Sequence, residues 1–193
     1  MSSTAPTELR DEALRKIGRN VVSLQRMERA LKLLIVGSNI QGYASELAAN
    51  YTKKTTTVEK RSLGLLVQEF IESIHVREPR AAERTGELNE AWLSISFTIK
   101  SDKRRIEKRR MALARVVEER NDLIHNLLSR FDPESTQSCQ YLIKILDEQN
   151  ERLEPHQHFV SRTLSQLHSL QKEVLKHMEA ILSQSSRGNT DAV

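Results

Sequence analysis

The run Glu118-Glu119-Arg120-Asn121-Asp122-Leu123-Ile124-His125 places a guanidinium, a carboxamide and an imidazole within two helical turns of one another. An imidazole exchanges protons near neutral pH, where general acid–base catalysis operates. A guanidinium presents a planar fork of N–H donors that fits a phosphate and stabilises charge developing on it. Together such groups can act on a phosphate ester without a metal ion. At about 100° per residue, His125 falls about 40° from Asn121 and about 140° from Arg120 around a helix. One helix therefore aligns Asn121 with His125 and leaves Arg120 on the flank, from where its long side chain must reach. Asp122 or Glu118 can restrain Arg120, and the spacing leaves both open.

Arg followed by His after four to six residues occurs three times, as Arg120/His125, Arg152/His158 and Arg162/His168. The second pair straddles Pro155, and only the first has Asn after the Arg. The segment Arg120 to His125 resembles the Arg-x4–6-His signature of the HEPN superfamily (higher eukaryotes and prokaryotes nucleotide-binding domains). In that family's active members a polar residue, often Asn, follows the Arg, as Asn121 does here. The resemblance implies a compact bundle of about four helices with the signature on the third long one, and a homodimer that brings two signatures together. It also implies a metal-independent endoribonuclease with no cofactor. The RNA 2′-OH would attack the adjacent phosphate while His125 takes its proton or protonates the leaving 5′-oxygen. Arg120 would hold the phosphate, and Asn121 would orient His125 or bind a phosphate oxygen. The expected products are a 2′,3′-cyclic phosphate and a 5′-hydroxyl, and DNA should be spared. A role in phage defence or a toxin–antitoxin system follows by the same likeness, with an antitoxin or sensor protein as regulator. Many HEPN toxins carry Tyr two positions after the His; Leu127 stands there in this chain, a departure from that subgroup. The architectural likeness spans residues 10–182, the motif likeness only 118–131.

Long helices must position this segment. Leu14, Ile17, Val21, Leu24, Met27, Leu31 and Leu34 recur at spacings of three and four, the stripe of an amphipathic helix that Gly37 and Asn39 can stop. A short helix over residues 43–51 and a polar turn over 53–57 are expected next, with Thr56 and Glu59 at capping-box spacing. Leu63, Leu66, Val67, Phe70 and Ile74 then mark a helix that must end before Pro79, followed by a polar loop over 77–91. Leu93, Ile95, Phe97 and Ile99 alternate with Ser94, Ser96 and Thr98, which reads as a strand. Its expected partner is the equivalent strand of another subunit or the preceding loop. The signature helix runs over 102–131. Asp132-Pro133 predicts a cap and first helical position, and Pro155 a kink or break before the last stripe, Val160 to Ile181. The expected fold is all-α, an up-and-down bundle of four to five long helices with one short strand or hairpin near 92–99. One HEPN-like domain over 7–183 is expected, flanked by disordered termini at 1–6 and 184–193.

Composition agrees. Aromatic residues make up 4% and charged residues 29%, with 6 Gly and 4 Pro, a balance suited to long helices rather than a sandwich or barrel. The net charge of +4 does not by itself point to nucleic acid. The run Lys100, Lys103, Arg104, Arg105, Lys108, Arg109 and Arg110, leading into the signature, does offer an RNA-backbone contact surface. With little aromatic interleaving, low sequence specificity is expected. The one cysteine, Cys139, excludes an internal disulfide framework and reads as a small buried hydrophobe. His156-Gln157-His158 lacks partners at metal-ligand spacing and reads as a surface loop. No secretory signal pattern opens the chain and no apolar run reaches the ~18 residues of a membrane span, so a cytoplasmic location without membrane contact is expected. The rival reading is a non-catalytic helical module for dimerisation or protein binding. A coiled-coil structural protein ranks third, disfavoured by the strand and by Pro155.

Overall fold

The computed structural model describes residues 4–76 and 92–188. The polar loop expected at 77–91 lies outside the described residues, as do 1–3 and 189–193. The chain is an all-α bundle carrying one small antiparallel hairpin. Helix α1 (Thr4–Gly37) and helix α6 (Thr136–Gly188) form its principal pair. Their 34 and 53 residues span roughly 50 and 80 Å. Helices α3 (Leu63–Ile71) and α4 (Lys103–Asp122) pack beside them, and α2 (Leu47–Glu59) leans on α1. The stripes read from the sequence form the core: Leu24, Met27, Leu31 and Leu34 of α1 meet Leu66, Phe70, Leu113, Leu146, Leu153 and Val160. Leu14, by contrast, faces solvent, and Ala13 takes the buried position.

Several elements depart from expectation. Strand β2 (Trp92–Ser96) pairs within the chain, with β1 (Asn39–Tyr43), in the register Asn39↔Ser96 to Tyr43↔Trp92. The partner was hidden because Asn-Ile-Gln-Gly-Tyr carries little alternation. Gly42 adopts φ +152, and a Cβ there would come within 2.8 Å of Asn50 Nδ2, so the strand depends on glycine. Tyr43 meets Trp92 edge to face at 4.9 Å. The pairing continues where Phe97 N–H donates to the Ser38 carbonyl at 2.7 Å and Ile99 N–H to that of Ile74 at 2.8 Å.

Residues 53–57 are not a turn but part of α2, and the Thr56 hydroxyl donates back to the Thr52 carbonyl instead of capping. Nor does a helix start at Asp132. The Asp132 carboxylate accepts from Glu134 N–H, the Ser135 hydroxyl accepts from Ser138 N–H, and α6 begins at Thr136. Pro155 neither breaks α6 nor ends it, and His156-Gln157-His158 is therefore helical, not a loop. Proline inside a helix costs about 3 kcal/mol. Leu153 and Val160, fully buried on either side, each contribute roughly 1.5–3 kcal/mol, enough to hold the helix through it. Helix α6 also extends to Gly188, past the expected tail boundary at 184, and α1 begins at Thr4, within the expected disordered start.

Two helices end in widened, π-type turns. Helix α3 continues through Glu72–Val76, and α4 through Leu123–Leu127 into the short last turn α5 (Leu128–Arg130). Each widened turn contains a histidine, His75 in the first and His125 in the second. No described helix is long and apolar enough to cross a membrane.

Candidate functional site

Helix α4 starts cleanly because the Asp102 carboxylate accepts from Arg105 N–H at 2.8 Å, the N-cap bond that isolated helix starts lack. Leu113, Val116 and Leu123 are its buried anchors. Residues Arg120 to His125 span the junction between regular and widened helix. There the Leu123 N–H is shared between the carbonyls of Arg120 and Glu119. The Glu119 carbonyl gains a second donor, Gln149 Nε2 of α6, at 3.0 Å. Gln149 is itself buried, its Oε1 accepting from Asn20 Nδ2 of α1 at 2.8 Å. Asn20 Nδ2 also donates to the Leu146 carbonyl at 2.8 Å, and Arg19 Nε donates to Asn20 Oδ1 at 3.0 Å. A buried amide chain thus runs from α1 through α6 to the backbone just before Arg120. In the sequence Gln149 stands at helical spacing with Leu142, Leu146 and Leu153, and its polarity on that apolar stripe is the signal, since a buried amide must find partners.

The widened turn alters the geometry drawn for a regular helix. Hydrogen bonding from i to i+5, as from Leu128 N–H to the Leu123 carbonyl, makes each residue advance by less than 100°. His125 therefore lies closer to the lines of both Asn121 and Arg120 than regular spacing places it. Arg120 Nη1 donates to Asn121 Oδ1 at 3.0 Å. Neither Asp122 nor Glu118 is the restraint: Asp122 Oδ1 accepts instead from Asn126 Nδ2 at 2.9 Å. Arg120 is half-buried, while Asn121 and His125 are exposed. The His125 ring makes no hydrogen bond to a described residue, so Asn121 orients the guanidinium and not the imidazole.

The basic run does not form one uniform surface. Lys100, Lys103, Arg104, Arg105 and Lys108 are exposed, and Arg105 pairs with Asp102 at 3.1 Å. Arg110 pairs with Glu107 at 3.3 Å. Arg109 turns inward, its guanidinium carbon 3.2 Å from the centre of the Phe159 ring, a cation–π contact in which burial lowers its pKa. The His75 ring belongs to the same cluster, 6.4 Å from Phe159 at an interplanar angle of 19°.

Between α4 and α6 lies a groove of about 420 Å³. Met111, Ala112 and Val116 give it an apolar floor, and Lys108, Arg115, Glu119, Arg152 and His156 line it. Glu119 Oε1 accepts from Arg115 Nε at 3.1 Å and from Arg152 Nε at 2.6 Å. The His156 pKa is lowered, first by burial and then by Arg109, with Glu119 acting in the opposite sense. Arg152 and His156 were overlooked in the sequence because Pro155 seemed to separate them. On a continuous helix their spacing of four residues puts them on one face. Among the described residues no group of His, Cys, Asp and Glu side chains is arranged to hold a metal ion, and Cys139 is buried as expected. Compared with models of known families, with curated proteins and with solved structures, the chain matches none of them.

Proposed function

We propose that this chain is a HEPN-like, metal-independent endoribonuclease that acts as a cytoplasmic homodimer. The observation that carries the reading is an Asn121-held Arg120 guanidinium at the end of α4, followed five residues on by a solvent-open His125 on a widened helical turn. Widened turns of this kind occur frequently at functional sites. On this reading the imidazole transfers the proton of the RNA 2′-OH or of the leaving 5′-oxygen. The guanidinium binds the phosphate and stabilises its added charge in the transition state. Asn121 fixes the guanidinium, so that less side-chain freedom is lost when phosphate binds. Lys103, Arg104 and Lys108, exposed upstream on α4, supply backbone contacts to the RNA. Two copies related by a two-fold axis would bring both Arg120/His125 pairs to one cleft. A regulator that covers this cleft, an antitoxin or a sensor, would hold the activity in check in a defence or toxin–antitoxin setting.

The rival reading, a helical docking or dimerisation module without catalysis, draws on Leu170 and Leu175, which stand 48% and 60% exposed on α6 beyond buried Leu167. Purified chain incubated with single-stranded RNA in chelator separates the two. Cleavage leaving 2′,3′-cyclic phosphate ends is expected, with His125→Ala lowering the rate by roughly 10²–10⁴-fold. Because His125 is exposed, its replacement should change stability by no more than about 0.5 kcal/mol. Intact RNA would leave the docking module as the reading, and cleavage that survives both His125→Ala and Arg120→Gln would remove these residues from the reaction.

A further inference from the structure

The groove between α4 and α6 is built differently from the stretch around His125. Arg115 reaches it from α4 and Arg152 from α6, and a single carboxylate oxygen, Oε1 of Glu119, accepts from the Nε of both. Glu119 is only 18% exposed, whereas Arg115 and Arg152 are 64% and 36% exposed. Holding a guanidinium by Nε leaves its terminal nitrogens available for a further acceptor. For Arg152 one of these, Nη1, also lies 3.9 Å from Glu148 Oε2, a long contact at the groove's edge. Lys108 completes the lining, which thus carries three cations, two of them held by one carboxylate. Beneath them Met111, Ala112 and Val116 offer apolar surface, and Met111 is 66% exposed with no side chain covering it. A volume of about 420 Å³ falls in the range of small-molecule pockets.

We infer that this groove binds a phosphate group carried on an apolar or aromatic body, with Arg115 and Arg152 gripping the phosphate and Met111 and Val116 packing against the body. Two pre-oriented guanidiniums suit a tetrahedral oxyanion, because planar forks match phosphate oxygens in pairs. An aromatic ring on the floor gains both apolar contact and the sulfur–aromatic contact that methionine makes. Arg115, Arg152, Met111 and Val116 are distinct from Arg120, Asn121 and His125, and the site shares only Lys108 with the cleavage reading.

Isothermal titration of the full chain at low salt, with inorganic phosphate, phenyl phosphate and a hexauridylate lacking a terminal phosphate as three probes, tests it. Phenyl phosphate should bind saturably and roughly tenfold more tightly than inorganic phosphate, the worth of packing one ring on the floor. Arg115→Gln should weaken phenyl phosphate by about tenfold or more, as loss of a charge-assisted hydrogen bond does. Met111→Glu should do the same, and His125→Ala should leave binding unchanged. Arg115 and Met111 are exposed, so these variants decide the matter even if Arg152→Gln disturbs the packing of α6 on α4. Binding of the hexauridylate through the same residues would identify the phosphate as that of an RNA backbone. Binding of phenyl phosphate alone would identify a free phosphorylated ligand. The inference is overturned if neither phenyl phosphate nor the hexauridylate binds saturably at millimolar concentration, or if Arg115→Gln and Arg104→Gln weaken binding equally.

Discussion

His75 and His125 occupy the two widened turns among the described residues, in contrasting surroundings. His125 is open to solvent. His75 is half-buried, edge-on to Phe70 at 5.7 Å and stacked on Phe159, with Nδ1 3.4 Å from the Ile99 carbonyl. Its Nε2 has no partner within the described residues. Burial lowers its pKa, the nearby Arg109 lowers it further, and the Ile99 carbonyl acts in the opposite sense. The folded chain thus keeps this ring neutral to lower pH than the unfolded chain, which protonates it near pH ~6.5. The corresponding stability is complete above that value and is lost as pH falls through it toward the folded value. His156 adds to the same trend. Thermal denaturation followed from about pH 7.5 to about pH 5 should show a falling midpoint, and His75→Phe, which keeps the ring packing, should shallow the fall. A slope unchanged in His75→Phe would show that this ring titrates alike in both states. None of this was visible from spacing, because His75 belongs to no motif and its neutrality depends on Arg109 and Phe159 arriving from other helices.

At the scale of elements, the turn bearing Arg120 to His125 is held by tertiary contact as much as by its own sequence. Gln149 supplies the donor that the Glu119 carbonyl receives from outside its helix, and joins Asn20 to the same chain of amides. Replacing it with Leu removes one of two partners from each of the Glu119 carbonyl and Asn20 Nδ2, which keep Leu123 N–H and the Leu146 carbonyl, at about 0.5–1.5 kcal/mol per bond lost. Gln149→Leu should therefore lower the denaturation midpoint and, if the nuclease reading holds, slow cleavage although residue 149 lies off the site. Urea denaturation with activity measured in parallel checks both. Pro155 provides the converse case. Its ring cannot donate to the carbonyl four residues earlier, yet α6 runs on because Leu153 and Val160 anchor both flanks. Pro155→Ala should raise stability by about 1–3 kcal/mol, the helix gain reduced by the greater freedom of the unfolded chain. A loss of stability on that change would mean that the proline shapes α6 into a bend that the packing requires. The helical stripes of α1, α3, α4 and α6 were legible because period 3.6 survives any choice of neighbours. Strand β1 was not, because a five-residue segment with glycine at its fourth position has too little pattern to show.

Across the whole molecule, the α1–α6 pair carries both the core and the main ionic link. Lys16 Nζ lies 2.5 Å from Asp147 Oδ1, and Arg19 Nη2 donates to the same oxygen at 3.2 Å. The Lys16 bond, followed by Arg19, lowers the Asp147 pKa. Stability from this group is present above the ordinary carboxylate range, near pH ~4, and disappears as pH falls through the depressed folded value. Asp147→Asn should therefore flatten the acid limb of the stability curve below about pH 4 while leaving the histidine-dependent slope at higher pH intact. An acid limb identical to that of the wild type would remove Asp147 from this account.

The amino-acid sequence by itself determined the class of fold: long amphipathic stripes and few turn-formers admit helices packed side by side and little else. It also marked Arg120, Asn121 and His125, because their spacing is a property of one continuous segment. Only the tertiary structure decided how those residues are presented. The carbonyl contact from Gln149, the inward turn of Arg109 onto Phe159, and the convergence of Arg115 with Arg152 on Glu119 each join residues 30 or more positions apart. Local periodicity carries no information about such meetings. They depend on which buried groups must find a partner once the helices have packed.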